Sequence, residues 1–265
     1  MKNLQTTSSS TSQRDPIRDA PLRDPGQSLR EQILDQALEG VGPWLMIALF
    51  VVVLTGLEWL KWLTNADHSP IVMTCFAAVI IAIAIKKSRT VANQIRHLKL
   101  GLKGERAVGQ LLQSQLLPLG YLVLHDICID DFNLDHVLVG PGGVFAVEVK
   151  TRSKPIRGDV RVQYDGILVK VNGRTPDRNP IAQAQAGAAR LEEILTNYTG
   201  HTTKVRPVVL FPGWYVERQS PGVRVWVLNE KAFVKFVEKE TEQLSKPEIR
   251  MFSEALARYV RDQMA

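Results

Sequence analysis

Two stretches of this chain carry no charged residue, and they constrain its organisation more than anything else in the sequence. Residues 41–57 and 70–85 contain no Asp, Glu, Lys or Arg. Seventeen residues of helix cover about 25 Å, slightly short of a bilayer core of about 30 Å. Trp44, Trp59 and Trp62 lie near the ends of the first run, and Lys86 and Lys87 close the second. Interfacial indoles and snorkelling lysines extend such a span. A buried helical hairpin in a soluble protein is the plainer alternative, but two uncharged runs separated by one polar turn fit it poorly. A cleaved signal peptide also fits poorly: the first run begins about forty residues in and lacks a small-residue cleavage site.

Orientation follows from the flanking cations. The turn over residues 58–69 holds one lysine, whereas Lys86, Lys87, Arg89, Arg96 and Lys99 follow the second run, and Arg14, Arg18, Arg23 and Arg30 precede the first. The positive-inside rule then places both termini in the cytoplasm, in a two-pass protein of the inner (cytoplasmic) membrane with a short external turn. The net charge of +6 permits an anionic partner without demanding one. The juxtamembrane bases are explained most simply by topology and by anionic lipid, so the bilayer is one expected partner.

The remaining chain divides by composition. Residues 6–13 are almost all Ser and Thr, and residues 14–27 alternate charges with Pro16, Pro21 and Pro25, so residues 1–28 read as a tail with too little apolar mass to offset ordering entropy. Residues 28–40 carry Leu29, Ile33, Leu34, Ala37 and Leu38 at helical spacing, with Gly40 as the expected C-cap of a short surface helix. The expected organisation is a tail and short helix over 1–40, two membrane helices over 41–86, a basic linker over 87–100, and a mixed α/β domain over 101–265. Only two cysteines, Cys75 and Cys128, exclude a disulfide framework or a four-cysteine zinc site.

Within the domain, Val108, Leu111, Leu112 and Leu116 mark a helix over 102–116. Strands follow over 121–127, 133–140 and 143–150, then a hairpin around Asp165-Gly166. Asn179-Pro180 opens a helix to about residue 198. Strands over 204–211 and 223–228 and helices over 230–238 and 246–264 complete the order.

The chemistry concentrates at two strands. Asp135 shares a strand face with Val137 and Val139, and Glu148 and Lys150 share one with Ala146. Gly140-Pro141-Gly142-Gly143 suits a type II turn, with Gly142 taking the positive φ. With Pro141 and Gly142 as the loop, Asp135 lies opposite Glu148, Cβ atoms roughly 5 Å apart, whereas a bulge at Gly143 makes the pairing diagonal. Facing carboxylates repel unless one is protonated or a hard cation lies between them. Lys150 alone invites the plainer reading of an ion pair, and the opposed Asp135 favours metal plus lysine. Glu105 falls on or beside the stripe of Val108 and Leu112, where a first-turn glutamate is the bland account. Gln183 shares a face with Gly187, Leu191 and Ile194, as a buried amide needing a partner. His125 and His136 lack metal-ligand spacing to one another.

Gly104-Glu105, Leu134-Asp135-His136, Gly142-Gly143-Val144-Phe145, Glu148-Val149-Lys150, Asn179-Pro180 and Gln183 together resemble the nuclease-related domain (NERD) family of the PD-(D/E)XK nuclease superfamily. The resemblance covers roughly residues 101–195. Thr151-Arg152-Ser153 departs from the family's more usual aromatic-containing segment, which bears on substrate contacts. It implies an α/β fold, a restriction-endonuclease-like mixed sheet flanked by helices and here preceded by a transmembrane helical hairpin. It also implies Glu105, Asp135, Glu148, Lys150 and Gln183 as the catalytic set. Mg²⁺ (or Mn²⁺) would then be held by Asp135, Glu148 and the Val149 carbonyl.

The function so implied is membrane-anchored, metal-dependent hydrolysis of nucleic-acid phosphodiesters, with DNA the expected substrate. Arg152, Lys154, Arg157, Arg161, Arg174 and Arg178 are candidates for phosphate contact or simply a solvated face. The alternatives are a catalytically silent, membrane-tethered nucleic-acid-binding or assembly module, and a scaffold whose hairpin recruits a partner.

Overall fold

The structure, a computed structural model, describes residues 22–64, 69–129, 132–155, 160–217 and 222–263. Two long helices come first, α1 over Gln27–Leu63 and α2 over Ile71–Leu116. They run antiparallel. Gly40 meets Val91, Trp44 lies 5.8 Å from the Lys87 ammonium, and Trp59 Nε1 donates to Thr74 Oγ1 at 3.0 Å. The helix expected to stop at Gly40 continues through Pro43 into the apolar run. The reason is packing: a Cβ at Gly40 would lie 3.1 Å from a Val91 methyl, so this glycine serves close helix approach rather than a cap. The expected basic linker over 87–100 is likewise unbroken α2. Both helices are long and apolar enough to cross a membrane. Neither apolar run is buried, for Leu45, Leu49, Phe50 and Val53 of α1 and Val72, Phe76 and Val79 of α2 are all exposed.

The strands are β1 (Leu122–Ile129), β2 (Phe132–Gly140), β3 (Gly143–Val149), β4 (Arg161–Tyr164), β5 (Val169–Val171), β6 (Val205–Leu210), β7 (Tyr215–Val216) and β8 (Trp226–Leu228). Three further helices are α3 (Pro180–Thr199), α4 (Glu230–Val237) and α5 (Lys246–Asp262). The main sheet has the order β1-β2-β3-β6-β8, antiparallel up to β3 and parallel beyond it, so it is mixed as expected. β4, β5 and β7 form a small second sheet.

Alternation along β3 builds both sides of the core. Val144 and Ala146 join Leu191 and Ile194 of α3 and Phe252 and Leu256 of α5. Phe145, Val147 and Val149 join Val108 and Leu112 of α2 and Phe233 of α4. A fully buried strand of this kind belongs between two helical layers. Asn179 caps α3, its side chain accepting from Ile181 N, with Pro180 in the first turn.

The β2–β3 hairpin keeps the expected register, from Gly140↔Gly143 to His136↔Val147. Its turn differs from the expected type II. The positive φ falls on Gly143, at 114°, not on Gly142. Other groups hold the turn: Gly142 N donates to the Tyr121 hydroxyl at 2.9 Å, and Gln243 N and Leu244 N donate to the Pro141 carbonyl. The Asp165-Gly166 hairpin closes with a longer loop, Tyr164↔Val169 being its last pair, because Asp165 Oδ1 accepts from both Ile167 N and Leu168 N.

Candidate active site at the broken end of the β2–β3 hairpin

β1 and β2 lose their alternation at one point. Leu124 and Ile127, three apart, face the same core, and so do Leu134 and Val137. Between the pairs His125↔His136 and Ile127↔Leu134 lie Asp126 and Asp135. Asp126 sits there in the left-handed region, φ 49°, a conformation that costs a non-glycine residue on the order of 1 kcal/mol. Asp135 lies one step past the last β2–β3 pair, which puts it opposite Glu148. Its Oδ2 accepts from Val149 N at 2.6 Å, so a side chain continues the hydrogen bonding where the ladder stops.

β3 ends in the same place. Glu148 is 5% exposed, and its Oε1 meets Lys150 Nζ at 2.5 Å. Lys150 Nζ also donates to Gln183 Oε1 at 2.9 Å, the partner the α3 amide needed. Glu105, 7% exposed, arrives from α2. Gly104 makes that approach possible, since a Cβ there would lie 1.7 Å from Thr151 Oγ1, just beyond Lys150. The Gly-Glu pair is therefore a contact device as well as a source of charge.

The electrostatics are those of crowded, buried acids. Burial first, and then the Asp126 and Glu148 charges, push the Glu105 carboxyl up to about 8. Burial, then Glu148 and Glu105, hold Asp135 well above the usual carboxylate range. Burial also raises Glu148, against the lowering pull of Lys150. The five catalytic candidates are thus brought together around one cleft of about 790 Å³.

The cationic candidates are dispersed. Arg152 and Arg178 line the cleft and a smaller cavity of about 240 Å³ that also touches Lys150. Lys154 lies 5.7 Å from the Trp214 ring. Arg161 pairs with Glu217 at 2.6 Å, and Arg174 is exposed beside β5. Arg157 lies outside the described residues.

Sequence reasoning missed Asp126 and the cleft's outer wall. Asp126 is 2% exposed and accepts from Arg23 Nε, Ser28 N and Ser28 Oγ. It thereby caps α1 from a strand of the α/β domain, and residues 22–26, expected in the tail, pack against that domain. Ser28, Leu29 and Gln32 of α1 and His97 of α2 face the same cleft. A charged residue inside the apolar run of β1 was the available signal. His125 and His136 instead pair with each other, Nδ1 to Nδ1 at 2.9 Å, and burial pushes the His136 imidazole down to about 3.

Residues 100–212 match the sequence model of the nuclease-related domain (NERD) family. This stretch is a nuclease-related domain. An uncharacterised protein of Bacillus anthracis is 26% identical over 175 residues, 63% of this chain and 70% of its own. Among solved structures, Pyrococcus furiosus SfsA in complex with Ca²⁺ is similar at 16% identity, over 57% of this chain and 52% of that one, with a TM-score of 0.24. The chain thus spans about half the length of that protein. The matched stretch of the nuclease-related domain contains Glu105, Asp135, Glu148, Lys150 and Gln183. β8, α4 and α5 follow it and contribute Trp226, Phe233 and Phe252 to the same two cores.

The donor set has the chemistry a hard divalent ion takes. Among the described residues no three His, Cys, Asp or Glu side chains converge as a ready-made cage. Two carboxylates and a backbone oxygen at a cleft still fit Mg²⁺, which keeps several waters and takes further ligands from substrate phosphate.

Proposed function

We propose that this chain is a membrane-anchored, metal-dependent phosphodiesterase that hydrolyses nucleic acid, with DNA as its substrate. The observation that carries the reading is the meeting of Glu105, Asp135 and Glu148, all with raised pKa, beside Lys150 and Gln183. Buried acids that repel one another are a poor foundation for a fold and a poor surface for phosphate, unless a cation joins them.

Asp135, Glu148 and the Val149 carbonyl would hold Mg²⁺ or Mn²⁺. Such an ion supplies Lewis-acid polarisation of the scissile phosphate and a more acidic attacking water. Lys150, fixed between Glu148 and Gln183, presents a point charge to the oxyanion that develops at phosphorus. Glu105 keeps its proton to about pH 8 in the metal-free cleft, so it exchanges a proton near neutrality and orients water. Gln183 holds the lysine in place. Arg152 and Arg178 receive flanking phosphates.

The two apolar helices anchor this domain in the cytoplasmic membrane with both termini inside, and the α/β unit over 101–265 lies in the cytoplasm. Support comes from the cations after the second run and from the outward apolar surface of α1. A reporter fused at Ala265 that works only on the outer side would refute this orientation.

One observation favours the silent-module alternative: Lys150 already neutralises Glu148 as an ordinary ion pair. The full chain in detergent, incubated with plasmid and single-stranded DNA with and without Mg²⁺ or Mn²⁺, separates the two. Metal-dependent cleavage supports the enzyme, and binding without cleavage under every metal supports the module.

A further inference from the structure

The cleft has a second wall that no nuclease chemistry requires. Ser28, Leu29 and Gln32 of α1 lie across it from the strand ends. This wall is pinned. Arg23 Nε, Ser28 N and Ser28 Oγ reach Asp126 at 2.7, 2.8 and 2.5 Å, and Gly26 lies so near α2 that a Cβ would come within 2.5 Å of Leu102. Charge-assisted bonds to a buried carboxylate are about twice as strong as neutral ones. The helix that carries this wall is also the first apolar helix.

About 790 Å³ falls in the range of roughly 300–1,000 Å³ that encloses small organic ligands. That is room for a few nucleotide units. A B-form duplex, whose major groove alone is about 12 Å wide, is a body of another size. Phe132 also lines the cleft at the start of β2, three residues before Asp135. It is half-buried, packed against the core that holds Leu134 and Leu191, and its Cε2 would lie 3.7 Å from a Cβ at Gly187 of α3. Arg152 and Arg178 line the same cleft, exposed and in no ion pair among the described residues. An aromatic platform beside a cationic groove is how proteins hold unpaired strands, because a base presents its face only once it is unstacked.

We infer that the cleft admits a single unpaired nucleic-acid strand, one base lying on Phe132 and its phosphates running past Lys150 to Arg152 and Arg178. This rests on the reading of the cleft as the phosphodiesterase site. α1 is the barrier that excludes the second strand.

The test uses the full chain in detergent with Ca²⁺ in place of Mg²⁺ or Mn²⁺, so that a divalent ion offsets the acids while binding is read apart from hydrolysis. A fluorescein-labelled single-stranded decamer and the blunt duplex of the same sequence are compared by anisotropy. 2-Aminopurine is then stepped along the single strand. The expected result is at least tenfold tighter binding of the single strand, with quenching at one or two positions. Phe132→Ala should weaken that binding on the order of tenfold, the scale of one lost base–aromatic stack, and abolish the quenching. Phe132→Trp should keep both. Phe132→Leu, which keeps apolar bulk against Gly187, should behave like the alanine variant while melting like the parent. Equal or tighter duplex binding, or quenching that survives Phe132→Leu, overturns the inference. Strand-selective binding and quenching without cleavage under Mg²⁺ or Mn²⁺ would sink the hydrolytic reading and leave the strand selectivity standing.

Discussion

The two ends of the β2–β3 hairpin are built from the same strands in opposite ways. At the turn, backbone groups find partners from outside the hairpin: Gly142 N meets the Tyr121 hydroxyl, and the Pro141 carbonyl takes both Gln243 N and Leu244 N. At the far end the ladder stops at His136↔Val147, and a carboxylate takes over from a carbonyl. At the closed end burial chiefly raises the Tyr121 hydroxyl. The open end holds three acids raised by burial and by one another. Polar groups are satisfied where the hairpin closes, and charge is left without enough compensation where the sheet gives out, which is where the proposed chemistry lies.

The sharpest way to break this comparison is at Asp135. Asp135→Ala should reduce metal-dependent cleavage to background. It should also lower the melting temperature, because Val149 N–H loses its acceptor at a cost of about 1–3 kcal/mol. Asp135→Asn keeps an acceptor and removes a charge, so it should be equally inactive yet melt no lower than the parent. Cleavage by Asp135→Asn at the parental rate would remove the metal from that residue.

Lys150→Ala comes next. Turnover should fall by a factor on the order of 10² to 10³, as when one preorganised electrostatic group is lost. Affinity for uncleaved DNA should fall far less. Parental turnover with a lowered melting temperature would leave Lys150 as the structural partner of Glu148.

Glu105 offers a pH test of the open end. The folded chain keeps this proton to about pH 8, whereas the unfolded chain releases it near 4.5. Between those values the folded state binds more protons, so this group makes stability fall as pH rises. Glu105→Gln cannot ionise. Its melting temperature in detergent should therefore gain on the parent progressively from about pH 5 to pH 8. A parallel pair of melting curves would detach Glu105 from the charge cluster.

The smallest effect belongs to the closed end. Tyr121→Phe strips Gly142 N of its acceptor and should cost on the order of 1 kcal/mol in stability, with cleavage unchanged. A loss of activity there would mean that the two ends are coupled.

Much of this site was legible in the residues. Pairing across Pro141-Gly142 has a period of two and one loop length, so the register that sets Asp135 opposite Glu148 could be counted. Gln183 was legible as an amide on an apolar helical face in need of a partner. Helix ends were harder. Gly40 reads as a C-cap because glycine favours such positions, but nothing local reveals that Val91 would press against it. The positive φ passed from Gly142 to Gly143 for a comparable reason, since Tyr121 and Gln243 hold the turn from outside it.

By itself the sequence determined the two apolar helices, the α/β order after them and the acids of the β2–β3 strands. These follow from local periodicity, from charge-free runs and from turn residues, all properties of neighbours in the chain. Only the tertiary structure decided that α1 begins on Asp126, 98 residues away from Ser28, and that Phe132 and Gln32 share a cleft. Those contacts depend on a left-handed Asp126 that breaks the alternation of β1 and on how closely Gly104 lets α2 approach Thr151. Both are matters of backbone packing between distant segments, to which no spacing along the chain corresponds.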